Sequence, residues 1–362
     1  MNREIFMKNY CWIAYLHPYT FVTPDDEQPW EVELDEINKS TYNHGRLIQI
    51  VSKIKTENNE LDALVCYDGA IAIARNGKFH KKEEAVNFFN KLFAKLIFNG
   101  FYVEGVNSRD VVSGVIYEEW GIFNTEFGGS ASSQSHSKVR TKMAGSLDTI
   151  NLSSPRHLMI SELRAGIEKG SKIFDEIPNL TPKFLNMGIT EIRYGNWDLV
   201  LSNLWITSEQ MIDYLWHNRF LKNQSFHPEH EIDGRKKSFK EDNRTWSMAI
   251  KQELLYQNSI ITESILINLF NARKVRNKLV HEGRAVDKKV ALGLFTAVKE
   301  LIQIVIGPED IMNNKIFSEN TAASGKYEKK SDAIKFDESL YTDWQKIIDE
   351  QVNEEQKKNR LS

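Results

Sequence analysis

The stretch Arg273-Lys-Val-Arg-Asn-Lys-Leu-Val-His-Glu-Gly283 closes a long helical pattern. Apolar side chains recur three and four positions apart from Ile261 to Leu279, which predicts one buried face on a helix over 260–281. Gly283 marks the end of this helix, because glycine commonly follows a last helical turn. The pattern therefore gathers an arginine, an asparagine and a histidine at the end of one helix.

The segments around this helix predict an all-α bundle. Apolar periodicity predicts further helices over 196–221, 246–257 and 288–306, and Gly307-Pro308 ends the last of them. The charged segment 227–244 predicts a long loop inside the bundle. Together these segments predict an antiparallel bundle of about four helices.

The first 150 residues show a mixed α/β pattern. Short apolar runs predict strands at 11–16, 46–54, 61–67, 70–74, 101–106 and 111–117, and the segment 81–99 predicts a helix. Asp68-Gly69 predicts a tight hairpin turn, since these residues tolerate positive φ. We therefore expect an α+β N-terminal domain at 1–150, a helical linker at 151–194 that includes a helix over 161–175, a helical bundle at 195–310, and a polar linker with a charged helix at 311–362.

Composition limits the function classes. The net charge is −3, so any contact with nucleic acid needs a local basic patch. The two cysteines, Cys11 and Cys66, form no paired motif, which is typical of a reducing compartment. No apolar run approaches the ~20 residues that a membrane span requires. We expect a cytoplasmic protein with no membrane partner, no cofactor and no metal.

The small, polar segment 128–146 breaks the N-terminal pattern. Its serine and glycine content predicts a surface loop. The alternative is a basic loop in which Lys138, Arg140 and Lys142 clamp a nucleic-acid backbone. His227 and His230 could suggest a metal pair, but no further ligand cluster lies close in sequence, so a charged loop is the favoured interpretation.

The end of the 260–281 helix carries the residue types that metal-free RNA cleavage requires. Asn277 and His281 lie one turn apart on one face, Arg273 lies one turn before Asn277, and Arg276 lies beside this row. Histidine can act as acid or base near neutral pH, and arginine offers a fork of donors to phosphate oxygens. One helix supplies only one histidine, so a two-histidine mechanism would require a homodimer.

Arg276-Asn-Lys-Leu-Val-His281 resembles the Arg-x4–6-His motif of the HEPN superfamily, and the surrounding bundle is similar as well. The resemblance covers about residues 195–308 and excludes the first 150. Many HEPN proteins are metal-independent endoribonucleases that act as homodimers, among them toxins and anti-phage effectors. The resemblance implies that His281 is the acid/base and that Arg276 stabilises the phosphorane. It also implies that Asn277 positions the histidine or the phosphate.

Other expectations follow from the same resemblance. Glu209 is the candidate for the polar residue that many members carry on an earlier helix, although it could equally be a solvated acid. Arg273 and Lys278 are the expected substrate-binding cations. Gly283 stands where one toxin class has tyrosine, which argues against that class. We expect RNA as substrate and an activator or partner protein bound by the N-terminal domain; the alternative is a non-catalytic HEPN-like scaffold for dimerisation or RNA binding.

Overall fold

The computed structural model describes residues 10–25, 44–56, 62–117, 121–141, 156–223, 246–309 and 311–312, together with positions 350, 353 and 357. These residues form two compact units. The first contains the described residues up to 92, those of 106–167 and positions 350, 353 and 357, and the second contains 93–105 and the described residues of 168–312. The predicted loop at 227–244, the polar linker and nearly all of the charged C-terminal helix lie outside the described residues.

The first unit is built on a curled, six-stranded antiparallel sheet. Its strands are β1 (Tyr10–Tyr15), β3 (Ile50–Ile54), β4 (Ala63–Cys66), β5 (Ala70–Ala74), β6 (Val112–Tyr117) and β7 (Gly121–Asn124), and their order across the sheet is β3-β4-β5-β1-β6-β7. β2 (Thr20–Thr23) and β8 (Arg156–Met159) form a separate parallel pair. The N-terminal part is therefore α+β, as predicted.

The hairpin predicted at Asp68-Gly69 is confirmed. β4 and β5 pair antiparallel with Leu64 opposite Ala72, and Gly69 between them has a φ of 78°. A Cβ atom on Gly69 would lie 2.2 Å from the carbonyl oxygen of Thr20. Both the positive φ and this close approach require glycine at the turn.

Two predictions for the first unit are wrong in detail. The strand predicted at 46–54 is a short helix α1 (His44–Leu47) followed by β3. The loop predicted at 128–146 contains a helix, α3 (Ala131–Arg140), in which the hydroxyl of Ser130 caps the N–H of Ser133. Serine-rich composition suggested a loop, whereas serine at a helix N-cap starts a helix.

The strand predicted at 101–106 is also absent from the described residues. Side chains from neighbouring helices form hydrogen bonds with backbone groups of Gly105 and Val106, and these bonds replace those that a neighbouring strand would make. Thr190 accepts the N–H of Gly105 at 2.8 Å. Asn90, on helix α2 (Lys82–Phe98), accepts the N–H of Val106 at 3.1 Å and donates to its carbonyl oxygen at 2.7 Å.

The second unit is helical. Its described helices after residue 160 are α4 (Ile160–Glu176), whose residues from 168 onward belong to it, α5 (Pro182–Tyr194), α6 (Trp197–Leu215), α7 (Met248–Gln257), α8 (Glu263–Glu282) and α9 (Lys288–Ile306). A π-helical turn, Trp216–Phe220, extends α6, so the predicted helix over 196–221 changes type near its end. The helices predicted over 161–175, 246–257, 260–281 and 288–306 are confirmed within a few residues.

Helix α6 is the centre of this unit, since it packs against α5, α7, α8 and α9. Leu201, Leu204 and Met211 on α6 are fully buried in the shared core. Helix α5, which lies within the predicted helical linker at 151–194, adds Leu185 and Ile189 to the same core. Among the described helices, none is long and apolar enough to cross a membrane.

Candidate active site

Both ends of helix α8 are capped by local chemistry. The hydroxyl of Thr262 accepts the backbone N–H of Ile265 at 3.3 Å and starts the helix. Gly283, with a φ of 64°, donates its N–H to the carbonyl oxygen of Leu279 at 3.0 Å and ends it. This end leaves His281 in the last turn of the helix.

The two sides of α8 differ in burial. The core side holds the fully buried Ile265, Leu269 and Ala272, with Val275 and Leu279 partly buried against the core. The opposite side exposes Asn277 and His281, one turn apart. Neither of these two side chains has a hydrogen-bond partner among the described residues. No described residue therefore occupies their polar atoms.

Arg276 lies on the flank of α8 that faces Glu209 of α6. Arg276 is half-buried, and its positive charge acts to lower the pKa of Glu209. The indole N–H of Trp205 donates to Oε1 of Glu209 at 2.7 Å, which acts in the same direction. Burial is the larger effect, so the net pKa of this half-buried carboxyl is raised. Arg276 thus acts on Glu209 through its charge, and the described residues show no hydrogen bond or ion pair between the two side chains.

A second arginine of α8 contacts helix α7. Arg273 donates from Nη1 to Oε1 of Gln252 at 3.3 Å, and its guanidinium lies 5.5 Å from the ring centre of Phe270. Gln252 is buried, and its Nε2 has no partner among the described residues. Arg273 is therefore held at the α7 side, while Lys278 is half-buried on α8.

Helices α6 and α7 are also joined by an ion pair. Nζ of Lys251 lies 2.7 Å from Oδ1 of Asp213. The lysine side chain is 7% exposed and the aspartate side chain 42% exposed, so the positive charge is the buried member. Asp213 also acts to raise the pKa of Glu209, because two negative charges repel.

Arg276 and His281 do not share a side of α8. Five residues turn an α-helix by about 500°, which leaves the two side chains about 140° apart around its axis. Arg276 faces Glu209, whereas His281 faces outward. A single copy of the helix therefore does not point both side chains at one small group.

The sequence predicts Glu209, Arg273 and Arg276 as site residues but does not predict the side chains that bond to Glu209, Arg273 and Asp213. Trp205 precedes Glu209 by four residues, so the helical i, i+4 spacing could have identified this pair. Lys251 and Gln252 come from another helix than their partners, and no sequence spacing predicts such contacts.

Among the described residues, no group of three or more His, Cys, Asp or Glu side chains is placed to hold a metal ion. Comparison of the chain with protein-family models, with curated proteins and with solved structures found no match.

Proposed function

We propose that this chain is a metal-independent endoribonuclease of the HEPN type that acts as a homodimer. The observation that carries the proposal is the end of α8, where Asn277 and His281 are exposed without a partner among the described residues. An exposed amide and imidazole one turn apart can engage a phosphodiester. Arg276, which acts on the charge of Glu209, lies on another side of the same helix turn.

The proposed reaction is a transesterification at phosphorus. A base removes the proton of a ribose 2′-hydroxyl, and the oxygen attacks the neighbouring phosphorus. The bond to the 5′-oxygen breaks, and an acid protonates that leaving oxygen. The products are a 2′,3′-cyclic phosphate and a 5′-hydroxyl, so atoms and protons balance without water or a metal.

Each side chain has one role in this scheme. His281 transfers the proton, Asn277 positions the phosphate or the imidazole, and Arg276 stabilises the charge that develops on the phosphorane. Glu209, whose carboxyl is held by the indole N–H of Trp205, adds a negative charge that attracts the guanidinium of Arg276. Arg273 and Lys278 contact the RNA backbone on either side.

A homodimer supplies the second acid or base. The outward face of α8 is apolar as well as polar: Ile267 is 50% exposed and Phe270 is 52% exposed. Along the helix, both lie within about 40° of His281 around the axis. Apolar side chains of this size favour burial against another surface. A second copy would cover them and bring two histidines into one cleft.

The proposal includes a biological setting. The protein acts in the cytoplasm as a toxin-like or anti-phage effector, and its first unit binds an activator or partner protein. The cleavage assay must therefore include candidate triggers.

The decisive experiment is cleavage of end-labelled RNA in the presence of EDTA. The wild type should cleave and leave a cyclic phosphate. His281→Ala and Arg276→Ala should each lose at least ~100-fold in rate, the usual contribution of a positioned acid or base. His217→Ala is the matched control, because this exposed histidine has, within the described part of the chain, a single bond, to the carbonyl oxygen of Asp213 one turn before it. Equal activity in wild type and His281→Ala would overturn the proposal.

Subunit mixing tests whether the site is shared. Wild-type chains mixed with an excess of His281→Ala chains should lose activity per wild-type chain. Undiminished activity would contradict a shared site while leaving cleavage itself intact.

The alternative function is a non-catalytic scaffold for dimerisation or RNA binding. One observation favours it: Arg276 is half-buried and faces a carboxyl of its own chain, as a structural arginine would. RNA binding that survives in the absence of any cleavage, with every trigger tested, would select this alternative.

A further inference from the structure

Helix α3 of the first unit turns a polar face inward. A helix that packs on a sheet usually buries an apolar stripe. The residues that α3 buries are instead Ser133, His136, Ser137, Val139 and Arg140. Val139 is the one aliphatic side chain among them, so apolar burial contributes little to holding this helix.

Asp68, in the turn between β4 and β5, is the main attachment point of α3. Its Oδ2 lies 2.9 Å from Nε2 of His136, and Nη1 of Arg140 donates to both of its carboxylate oxygens. Arg140 also donates to the carbonyl oxygen of Ile122. The side chains of Asp68, His136 and Arg140 are all 0% exposed. This burial excludes the alternative in which Arg140 clamps a nucleic-acid backbone, and Lys142 lies outside the described residues.

The imidazole of His136 is enclosed by aromatic rings. It stacks between Tyr15 and Tyr19, with ring centres 4.1 Å and 4.3 Å away. The ring of His17 stands nearly perpendicular to it at 5.3 Å. Since a carboxylate accepts, Nε2 of His136 carries the hydrogen that is donated to Asp68. Nδ1 is then the site at which a further proton would add, and it has no partner among the described residues.

The titratable and charged groups around His136 come from four places. Asp68 comes from the β4–β5 turn, Arg140 from α3 itself, Tyr15 from β1, and His17 and Tyr19 from the connection between β1 and β2. The buried thiol of Cys66 lies against Arg140 at 3.9 Å. Asp68 is thus the one acid that faces two histidines and an arginine among the described residues.

We propose that this cluster is an acid-sensitive latch, in which protonation of His136 releases α3 from the sheet of the first unit. The proton comes from solvent and adds to Nδ1. The resulting imidazolium keeps its bond to Asp68, but its new N–H has no acceptor and its charge lies beside the guanidinium of Arg140. One carboxylate then faces two buried cations, and the helix has little apolar area to resist separation.

The pKa directions agree with this geometry. Burial lowers the pKa of His136 below its ordinary value, and this outweighs the opposite effect of Asp68. Burial and the neighbouring imidazole of His136 lower the pKa of His17 as well. The pKa of Asp68 is also lowered, because Arg140 and His136 favour the carboxylate over the cost of its burial.

These pKa directions determine whether low pH stabilises or destabilises the closed helix, and over which pH range. Below the ordinary histidine value of about 6.5, the open helix takes up protons that the closed helix does not. The closed state therefore loses stability as pH falls from about 6.5 toward the lowered values. Each histidine that gains its proton on opening multiplies the open population by about tenfold per pH unit. Arg140 and His136 favour the carboxylate of Asp68, so this group is ionised where the window begins, near pH 6.5.

Amide hydrogen exchange on the whole chain tests the latch. The opening equilibrium of residues 131–140, obtained after division by the intrinsic exchange rate at each pH, should rise about tenfold or more per pH unit below about pH 6.5. Helix α9 should show no such rise, because no histidine lies on it. An opening equilibrium of α3 that does not change with pH would overturn the proposal.

Two variants locate the effect. His136→Gln keeps an amide donor for Asp68 but cannot take up a proton. The rise of its opening equilibrium with falling pH should therefore be smaller than that of the wild type by about a factor of ten per pH unit. His80→Gln removes an exposed histidine of the same unit and should leave the dependence unchanged. Equal pH dependence in wild type and His136→Gln would overturn the proposal. If His136→Gln does not fold, the wild-type imidazole is titrated by NMR, and a pKa of His136 at or above about 6.5 would contradict it.

Discussion

The indole N–H of Trp205 donates a 2.7 Å hydrogen bond to Oε1 of Glu209, one turn further along the central helix α6. This bond fixes a half-buried carboxyl on the side of α6 that faces Arg276. It works against burial, which raises the pKa of that carboxyl. The protonation of Glu209 therefore depends on a neighbour of the same helix.

Trp205→Phe should raise the pKa of Glu209 further. Phenylalanine keeps an aromatic ring in the core but has no N–H to donate to the carboxylate. Carboxyl carbon shifts followed by NMR across a pH titration measure this change. Trp197→Phe is the matched control, because Trp197 is partly buried and contacts Lys288 rather than an acid. A pKa of Glu209 that falls in Trp205→Phe would contradict the expectation.

The Asp213–Lys251 pair should respond unequally to removal of its two members. Asp213→Asn leaves the buried ammonium of Lys251 without its carboxylate and should cost about 3 kcal/mol of unfolding free energy. Lys251→Met leaves a carboxylate that is 42% exposed and can be solvated, so it should cost about 1 kcal/mol or less. Denaturant unfolding of both variants measures the difference. A larger cost for Lys251→Met would show that the aspartate is the more confined charge.

Charge placed on the outward face of α8 should disrupt the proposed homodimer. Phe270→Glu introduces a carboxylate where an apolar side chain, 52% exposed, is expected to meet a second copy. We expect the dissociation constant of the Phe270→Glu homodimer to exceed that of the wild-type homodimer by at least ~30-fold, the equivalent of about 2 kcal/mol. Sedimentation equilibrium measures it.

The control for this surface is Ile250→Glu on helix α7. Ile250 is an exposed apolar residue of the same unit, at 43%, and lies on another helix. Its variant should associate as the wild type does. An equal effect of both variants would indicate general charge repulsion rather than an interface on α8.

Asp68→Asn should be among the most destabilising single changes in the first unit. It leaves the guanidinium of Arg140 buried without a carboxylate, at a cost of about 3–5 kcal/mol. Asp62→Asn is the matched control, because Asp62 forms a surface pair with Lys53 at 4.0 Å and should cost about 0–1 kcal/mol. Chemical denaturation followed by a probe in the first unit compares them. Similar costs for the two changes would mean that Asp68 contributes no more than a surface acid.

Patterns of local chemistry predicted the fold best where they were strong. Helix α9 has a regular spacing of apolar side chains and ends at Gly307, and α8 ends at Gly283. The hairpin at Asp68-Gly69 has residues that favour a tight turn. Helix α5 lies within the predicted helical linker but has no separate prediction; it begins at Pro182, since proline fits the first turn of a helix.

The site was predictable only along single helices. Residues that share α8 or α6 have fixed spacings, so the exposure of His281 and the proximity of Trp205 to Glu209 follow from the helical period. The inward face of α3 was not predictable, because its buried residues are polar and only Asp68, 68 residues away from His136, explains why they are inside.

The order of the two units along the chain limits how the protein can be divided. Residues 93–105 belong to the helical unit, yet the chain returns to the first unit before α5 begins. Phe98 and Tyr102 from this segment are buried in the helical core, where Phe98 contacts Phe174. A fragment that starts at residue 168 would therefore lose part of its own core. If the helical unit is to be expressed alone, residues 93–105 should be joined to it through a linker.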